Sequence, residues 1–406
     1  MNTSIKLGIV IITMSIMLVM LPTLQKPAQS QGGATEAPAG FDNLTNGHIS
    51  QADFDTFRAT FEEVEEIDEG LGPTFNDRGC ANCHNVPITG GSGKKIPETR
   101  AGHFDAGGNF VEHPGGSLVQ DQALNQRIIE HVLPGEDTTK RSSTNVLGNG
   151  FVEAISDTML TGIRDAQPAN IRGLAISVPI LEAANGSTRV GRFGWKNQHA
   201  SLESFSVDAY LNEMGITSPL QPVENTSDGN DVSAFDAVPD PEDVGGVDVK
   251  QFAQFMRATK VPPRDPLLVG KPDTIAGAQL FSSIGCAGCH IPTIVTAPAG
   301  TVFNGGFTVT PALGNKTIHP YSDFLLHDIG TPDPIVQNGG AETYNKVRTA
   351  PLWGVRTRSF FLHDLSAPSL TQAIQSHRGQ AQAASDAFQA LSTAQQKQLL
   401  TFLDSL

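Results

Sequence analysis

Two copies of one five-residue motif constrain this chain more than any other feature of its sequence. Residues 80–84 read Cys-Ala-Asn-Cys-His, and residues 286–290 read Cys-Ala-Gly-Cys-His. Two thiols three residues apart lie one helical turn from each other, so both can bond to the vinyl groups of a single porphyrin. The histidine that follows the second thiol is then held under the ring, where its imidazole can bind the iron. Each motif therefore predicts one covalently attached haem c.

Thiol redox chemistry and zinc binding are the alternatives for a Cys-x-x-Cys motif. A thioredoxin-like pair is expected within a strand–helix–strand unit, which this sequence does not predict, and a zinc site requires further Cys or His at short spacing. The chain contains four cysteines, and the two motifs use all of them, so no structural disulfide and no free catalytic thiol remains. We therefore expect two haem c groups, one held by Cys80 and Cys83 and the other by Cys286 and Cys289. The expected iron ligands are His84 and His290.

The N-terminal stretch predicts export. Lys6 precedes an apolar run at residues 7–21, and a small-x-small cleavage pattern follows at residues 28–30. We predict a signal peptide over residues 1–30 and a flexible leader over residues 31–46. A membrane span usually needs ~20 apolar residues, so we expect no stable span after cleavage, with a retained anchor as the alternative. Because bacteria attach haem c outside the cytoplasm, the mature protein is predicted to be periplasmic or exported.

Length and periodicity predict the fold. A chain of 406 residues exceeds one ordinary hydrophobic core, so we expect two domains, one per motif, at residues 47–262 and 263–406. Little of the sequence alternates with a period of two, which predicts a mostly α fold: two cytochrome c-like haem domains with long irregular loops. Helix starts are predicted at four serines: Ser50, Ser201, Ser369 and Ser392. A further helix is predicted near residues 120–131.

Charge is distributed unevenly. The formal net charge is −15, and between Lys196 and Lys250 there is no Lys or Arg, whereas eleven Asp or Glu occur there. This stretch is either a solvated acidic loop or a docking face for a basic redox partner. No basic stripe occurs anywhere, so nucleic-acid binding is not expected.

Several further stretches occur in the order known from one family. The chain resembles the di-haem oxidoreductases, relatives of the bacterial di-haem cytochrome c peroxidases, over roughly residues 45–406. The family is also called thiol oxidoreductase, a name that the use of all four cysteines in haem motifs does not support. The matching stretches, besides the first motif, are residues 70–73, 191–196, 214–217, 320–328, 349–354 and 361–379.

The resemblance implies an electron-transferring haem and a haem with a more open distal face, where peroxide or dioxygen reacts. Trp195 lies in the stretch that matches a tryptophan between the two haem groups, which implies an electron relay; the alternative is core packing. Glu213 matches an acidic residue of the distal pocket that could move a proton, and the alternative is a solvated glutamate. The resemblance also leaves open a calcium ion between the domains.

His377 is the predicted distal ligand of the second haem. Ala373 and Ile374 precede it by four and three residues, so all three share a helix face. The related peroxidases carry an iron-ligating methionine at the matching position, and a histidine there would give bis-histidine ligation with a lower potential. The alternative is a hydrogen-bonded core histidine. His103 and His113 are open candidates for a displaceable ligand of the first haem.

Together these features predict an oxidoreductase that takes electrons from a small redox protein or another donor. Electrons enter at the second haem, pass by Trp195 and reduce peroxide or a similar small oxidant at the first. One alternative is a pure electron-transfer cytochrome. The other is a dioxygenase that resembles the rubber-cleaving di-haem enzymes, because Phe205 stands where relatives often carry a distal glutamine.

Overall fold

The structure is a computed structural model that describes residues 33–93, 97–183 and 186–406. The predicted signal peptide and the first two residues of the predicted leader lie outside the described residues. Ten α-helices lie in the described part of the chain: α1 (Gln51–Glu62), α2 (Cys80–Cys83), α3 (Asn149–Glu153), α4 (Asp157–Ala166), α5 (Leu202–Met214), α6 (Val247–Ala258), α7 (Pro272–Ser283), α8 (Leu370–Ser376), α9 (Gln382–Ala390) and α10 (Thr393–Leu403).

Serine caps start the helices where the sequence predicted them. The hydroxyls of Ser50, Ser201, Ser369 and Ser392 each accept a hydrogen bond from the amide three residues later, which satisfies a backbone donor that the helix cannot pair. The helix predicted near residues 120–131 is wrong. Gln122–Ala123 form a strand there, and Gln126–Ile128 form one 3₁₀ turn.

Thirteen short strands complete the described part: β1 (Thr35–Glu36), β2 (Thr74–Phe75), β3 (Glu98–Phe104), β4 (Phe110–Glu112), β5 (Leu118–Val119), β6 (Gln122–Ala123), β7 (Asp137–Arg141), β8 (Ser177–Pro179), β9 (Thr188–Val190), β10 (Ile294–Val295), β11 (Lys316–Ile318), β12 (Leu326–His327) and β13 (Val347–Arg348). In the largest sheet, β3 pairs antiparallel with β4, β5 and β7. β1 pairs parallel with β11, so this described part of the predicted leader is hydrogen-bonded to a strand near residue 317.

The prediction of a mostly α fold is therefore wrong. Helix makes up 32% of the structure and strand 14%, which is a mixed α/β fold with several small sheets. The strands escaped detection for a physical reason. β3 and β7 read Glu-Thr-Arg-Ala-Gly-His-Phe and Asp-Thr-Thr-Lys-Arg, without the alternation of apolar side chains that marks a strand. Most of the others contain two or three residues, too few to show a period.

Each motif is followed along the chain by a helix that packs against a helix preceding that motif. α1 packs on α6 through Phe54 and Phe255, whose ring centroids lie 5.3 Å apart. α7 packs on α10 so closely that a Cβ on Gly277 would lie 2.0 Å from the carbonyl oxygen of Gln398. These two helix pairs belong to separate apolar clusters. The division into domains at residues 262 and 263 stays a prediction.

Within the described ranges, no helix combines the length and the apolar character that a membrane crossing requires.

Candidate functional site

Both five-residue motifs form one tight turn. The first lies in α2, and the second begins with the 3₁₀ turn Cys286–Gly288. In each, the amide of the motif histidine donates to the carbonyl of the first cysteine over 3.0 Å. The two thiols and the histidine of each motif therefore project from a single turn, which is the spacing that the sequence predicted.

A cavity opens beside the first motif, and we call it the first-motif cavity. It contains about 1060 Å³ of atom-free space, including the part that is open to solvent. Side chains from α1, α2, β3, β7, α5 and α6 form its walls. Six of the predicted or weighed residues line it together: Cys80, Cys83, His84, Trp195, Phe205 and Glu213.

The thiols in these surroundings are held in their protonated form. Burial raises the pKa of Cys80, Cys83 and Cys286 to about 12. Thiol redox chemistry needs a thiolate, which this burial disfavours. Among the described residues, moreover, no group of potential metal ligands contains both thiols of one motif. The structure therefore does not favour either alternative.

His84 lies at the wall of the first-motif cavity with a ring nitrogen that lacks a partner. Its Nδ1 is buried, and although the backbone at Gly91 and Thr144 lies near it, no group of the described residues meets hydrogen-bond geometry. Burial lowers the pKa of the ring, so the imidazole is neutral. A neutral imidazole in a cavity wall has one unprotonated ring nitrogen, which can bind a metal.

Two carboxyl groups meet inside the first-motif cavity. Glu213 of α5 and Glu98 of β3 are hydrogen-bonded to each other. Asn76 Nδ2 donates to Glu213 Oε2 over 2.8 Å, and Arg100 Nη2 lies 3.7 Å from Glu213 Oε1. Burial, followed by the charge of Glu213, raises the pKa of Glu98 well above its ordinary value, and burial also raises the pKa of Glu213. This pair can store a proton in the cavity.

Glu98 and Arg100 are site residues that the sequence reasoning missed. They stand two residues apart on β3, so both side chains leave the same face of the strand. The signal in the sequence was two charged residues at positions i and i+2, the spacing of side chains on one face of a strand. It could be interpreted only after residues 98–104 had been recognised as a strand.

The remaining wall of the first-motif cavity has an apolar part. Phe205 stacks on Phe193 with ring centroids 5.9 Å apart. His103 and His113 are not lining residues: His113 is buried, and its ring nitrogens face Glu136 and Asp228 instead. His84 is the one histidine among the lining residues.

Trp195 is held rigidly in the cavity wall. Its side chain is 6% exposed, and Nε1 donates to the carbonyl of Ser142 over 2.7 Å. The rings of Trp195 and His363 pack edge to face, with their centroids 6.0 Å apart. A buried indole with its N–H satisfied keeps one orientation.

A short path leads from Trp195 to the second motif. The carbonyl of Trp195 accepts a hydrogen bond from the amide of Arg348 over 2.7 Å. Arg348 belongs to β13, which pairs with β12. On β12, His327 Nδ1 lies 3.8 Å from Cys289 Sγ. One pair of strands therefore separates Trp195 from the thiols of the second motif.

Two histidines have matching hydrogen bonds at the second motif. His290 Nδ1 donates to the carbonyl of Tyr321 over 2.9 Å, and His377 Nδ1 donates to the carbonyl of Ala373 over 2.7 Å. Each neutral ring then has an unprotonated Nε2. Burial and the charge of His377 lower the pKa of His290 to about 4, although the Tyr321 hydrogen bond opposes this, so His377 lies close enough for its charge to act on His290.

The family model described as "Di-haem oxidoreductase, putative peroxidase" matches residues 119–406, which is more than half of the chain. This chain belongs to the di-haem oxidoreductase family. The resemblance noted in the sequence is thereby confirmed, and haem is the cofactor of this protein. No curated protein matches the chain.

Two solved structures are similar to this di-haem protein. One is hydrazine synthase from Kuenenia stuttgartiensis, with a TM-score of 0.41 and 13% identity over 95% of this chain and 100% of that chain. The other is a MauG-like protein associated with microbial copper homeostasis, also with a TM-score of 0.41 and 13% identity, over 94% of this chain and 95% of that chain. At these TM-scores neither likeness supports a functional argument.

A buried arginine, Arg348, and a half-buried one, Arg358, fit the propionates that a haem brings. Arg348 Nε donates to the carbonyl of Gly194 over 2.8 Å, and Arg358 Nη2 lies 3.5 Å from Ser142 Oγ. Gly194 and Ser142 both line the first-motif cavity. Neither guanidinium is recorded with a carboxylate partner in the described part of the chain, and burial lowers the pKa of both to about 10. A buried guanidinium of this kind matches a carboxylate in charge and geometry.

Other candidate ligand groups near these motifs have different partners. Cys289, Asp323 and His327 lie within ligand distance of one another. His327 Nε2, however, is 2.8 Å from Asp323 Oδ2, and although burial opposes it, this hydrogen bond raises the pKa of His327 to about 10. A protonated ring has no lone pair for a metal.

A calcium ion stays a prediction. The acidic stretch does bring Glu224, Asp240 and Glu242 within ligand distance of one another.

Proposed function

We propose that this protein is an exported di-haem c-type cytochrome that reduces peroxide, or a similar small oxidant, at the first motif. The electrons come from the second motif, which a small redox protein or another donor reduces. Membership of a di-haem oxidoreductase family with peroxidase character supports the class of reaction. Export rests on the N-terminal sequence alone.

One observation carries the proposal: the two motifs have different surroundings. The first lies beside a cavity that contains proton-donating carboxyl groups and His84 as its one lining histidine. At the second, His290 has a neighbour, His377, with an unprotonated Nε2. A site for a small oxidant needs room and a proton donor, whereas an electron-transfer haem is best served by two fixed ligands.

The residues around the first motif have distinct roles in this proposal. Cys80 and Cys83 attach the haem, and His84 is its iron ligand. The haem iron, when bound, supplies the electron transfer that reduces the oxidant. Glu213 donates a proton to the oxygen that leaves when the O–O bond of peroxide breaks. The hydrogen bond from Asn76 Nδ2 to Glu213 Oε2 fixes the position of this carboxyl group.

The residues around the second motif would keep their haem closed and its reduction potential low. Cys286 and Cys289 attach it, and His290 and His377 are its two iron ligands. Because the Nδ1 of each ring donates to a backbone carbonyl, both imidazoles are oriented and made more basic. Trp195, in the wall of the first-motif cavity and one strand pair from Cys289, is the relay between the two haem groups.

The test combines ligand binding with a stopped-flow reaction. The fully reduced protein is titrated with carbon monoxide, and we expect one molecule to bind per chain, at the first haem. The half-reduced protein is then mixed with hydrogen peroxide, and we expect both haem spectra to change in sequence. A denaturing gel stained for haem should show covalent haem, and a haemochrome assay should give two per chain. No carbon monoxide binding and no spectral change with peroxide would mean a pure electron-transfer cytochrome.

A dioxygenase is the second candidate, and Phe205 is the observation that favours it. Its ring lines the first-motif cavity and stacks on that of Phe193, which gives the cavity an apolar wall that suits dioxygen and an apolar substrate. The two candidates differ in their reaction with dioxygen. A dioxygenase consumes it together with an apolar polyene, without an electron donor, and does not turn over peroxide.

A further inference from the structure

The first-motif cavity contains a second carboxyl group for which the proposed function has no role. Glu98 reaches the cavity from β3 and Glu213 from α5, and the two side chains are hydrogen-bonded to each other. Two ionised carboxylates in contact repel each other strongly, especially where burial excludes water. Such a contact is stable when one proton lies between the two oxygens, as in the paired carboxyl groups of aspartic proteases.

We propose that Glu98 and Glu213 share one proton and together form the proton donor for the small oxidant. The inference rests on the proposed function and adds a residue to it. It assigns a role to β3, a strand that brings Glu98 and Arg100 into the site from one face.

The charges around the pair favour one proton rather than none or two. Arg100 on β3 and Arg141 on β7 favour the ionised form. Burial and Asp208 favour the protonated form, and Asp208 itself lies 3.1 Å from His199. The titratable and charged groups that face the pair are Arg100, Arg141, Asp208, His199, Asp77 and Cys83. Arg141 already forms a bidentate pair with Asp333, whereas Arg100 lies 3.7 Å from Glu213, so Arg100 balances one negative charge on the pair.

The proton balance of the reaction is simple. Reduction of one peroxide to two waters consumes two electrons, which the donor supplies through the haem groups, and two protons. The pair gives one proton to the departing oxygen as the O–O bond breaks, and both carboxylates are then ionised beside Arg100. A proton from solvent restores the pair, which then supplies the second proton.

The experiment uses Glu98→Gln in the haem-loaded protein, with Glu112→Gln as the matched control. Glu112 lies on the neighbouring strand β4 and does not line the cavity. The first readout is infrared spectroscopy of the resting protein without peroxide. Burial also raises the pKa of Glu130 to about 8 and of Glu224 to about 9, so each spectrum is measured as a difference from that of Glu98→Gln, in which these groups cancel. In this difference, wild type and Glu112→Gln should show the C=O stretching band of one protonated carboxyl at neutral pH, because Glu213 ionises beside Arg100 in Glu98→Gln.

The second readout is the rate of reaction with hydrogen peroxide. A positioned general acid contributes about 10²–10⁴-fold, so Glu98→Gln should slow the reaction by at least ~10²-fold at neutral pH and leave both haem spectra unchanged. Glu213→Gln should show the same two losses, which guards against a folding defect in one variant. A wild type without the carboxyl band overturns the inference.

Two further results are decisive. If the band is present but Glu98→Gln reacts with peroxide as fast as wild type, the pair is not the proton donor. If the wild type has the band but does not react with peroxide, the proposed function fails and the pair's role in it fails too, while the shared proton itself is retained.

Discussion

The two motif regions share the pattern Cys-Ala-x-Cys-His and differ in almost everything around it. At the first, a cavity lies beside a histidine whose Nδ1 has no partner among the described residues. At the second, the Nδ1 of His290 is bonded to a backbone carbonyl, and His377 is its neighbour with a hydrogen bond of the same kind. The motif is the predicted point of haem attachment. The elements that pack on it determine what that haem can do.

The packing on the two sides shows why. Around the second motif, α7 and α10 cross closely, and Phe281 and Phe402 fill the space with rings 5.3 Å apart. Around the first, α5 and β3 direct Glu213 and Glu98 into the cavity. An apolar core with two imidazoles favours a closed electron-transfer site, whereas a cavity with titratable groups favours proton-coupled chemistry.

The largest effect is expected from removing the difference between the two regions. His377→Ala should open the second haem, so that the reduced variant binds two molecules of carbon monoxide per chain instead of one. The reason is that His377, among the described residues, has a hydrogen bond that matches that of His290 and a charge that acts on His290. An optical titration measures the stoichiometry. His319→Ala, at a half-exposed histidine bonded to Glu36, is the control and should bind one. If His377→Ala also binds one and its low-spin bis-histidine spectrum is unchanged, His377 is not the ligand.

A second prediction concerns the charges between the regions. Asp333 is fully buried, with a bidentate pair to Arg141 at 2.9 Å and with Lys196 Nζ at 3.5 Å. Although burial opposes it, these cations lower the pKa of Asp333 to about 2. Asp333→Asn should cost ~3–5 kcal/mol of unfolding free energy at neutral pH, because Arg141 and Lys196 are left as buried unpaired cations. Denaturant unfolding followed at both haem groups measures this loss.

The pH dependence follows from the direction of that shift. The folded pKa of Asp333 lies below its unfolded value, so its contribution is complete above the unfolded value and is lost as pH falls through about 2. The difference between wild type and Asp333→Asn should therefore shrink in acid. Asp386→Asn, at an exposed aspartate, should have no comparable effect. Equal stability of wild type and Asp333→Asn at neutral pH would show that Asp333 does not stabilise the fold through Arg141 and Lys196. Separate transitions at the two haem groups would support the predicted domain division.

The sequence predicted the features that depend on local chemistry. Serine caps, the helix at 202–214, the thiol turns and the position of Trp195 and Glu213 at one cavity all depend on short-range rules or on family motifs. The fold class was wrong because β3 and β7 are stabilised by pairing with each other, along residues 98–102 and 137–141, and not by their own periodicity. Glu98 was missed for the same reason, since its role depends on a strand that its own sequence does not reveal.

A third prediction tests the connection between the regions. Trp195→Phe should leave the initial reaction with peroxide intact but slow reoxidation of the second haem by about tenfold or more, equivalent to ~1.4 kcal/mol added to the barrier. A phenyl ring is much harder to oxidise than an indole. Stopped-flow spectra after mixing with peroxide separate the two phases. Trp353→Phe, at the other buried tryptophan, is the control and should leave both phases unchanged. An unchanged second phase in Trp195→Phe would exclude the relay.

The smallest effect should come from the helix that carries His377. α8 has seven residues, Ser369 Oγ accepts from the amide of Gln372 over 3.2 Å, and His377 follows the last turn directly. Ser369→Ala removes this cap at a cost of ~1 kcal/mol. Because a factor of ten corresponds to about 1.4 kcal/mol, carbon monoxide or cyanide should compete with His377 up to ~5-fold more effectively.

The control for this last prediction is the equivalent cap on a helix without a ligand. Ser392 caps α10 through Gln395 in the same way, so Ser392→Ala should lower the unfolding free energy by a similar ~1 kcal/mol but leave ligand competition at the second haem unchanged. A ligand titration of both variants, together with denaturant unfolding, makes the comparison. If both variants change ligand binding equally, the effect is a general loss of stability. If Ser369→Ala alone changes it, the closed state of the second region depends on α8, and a weak local cap contributes to the difference between the two haem sites.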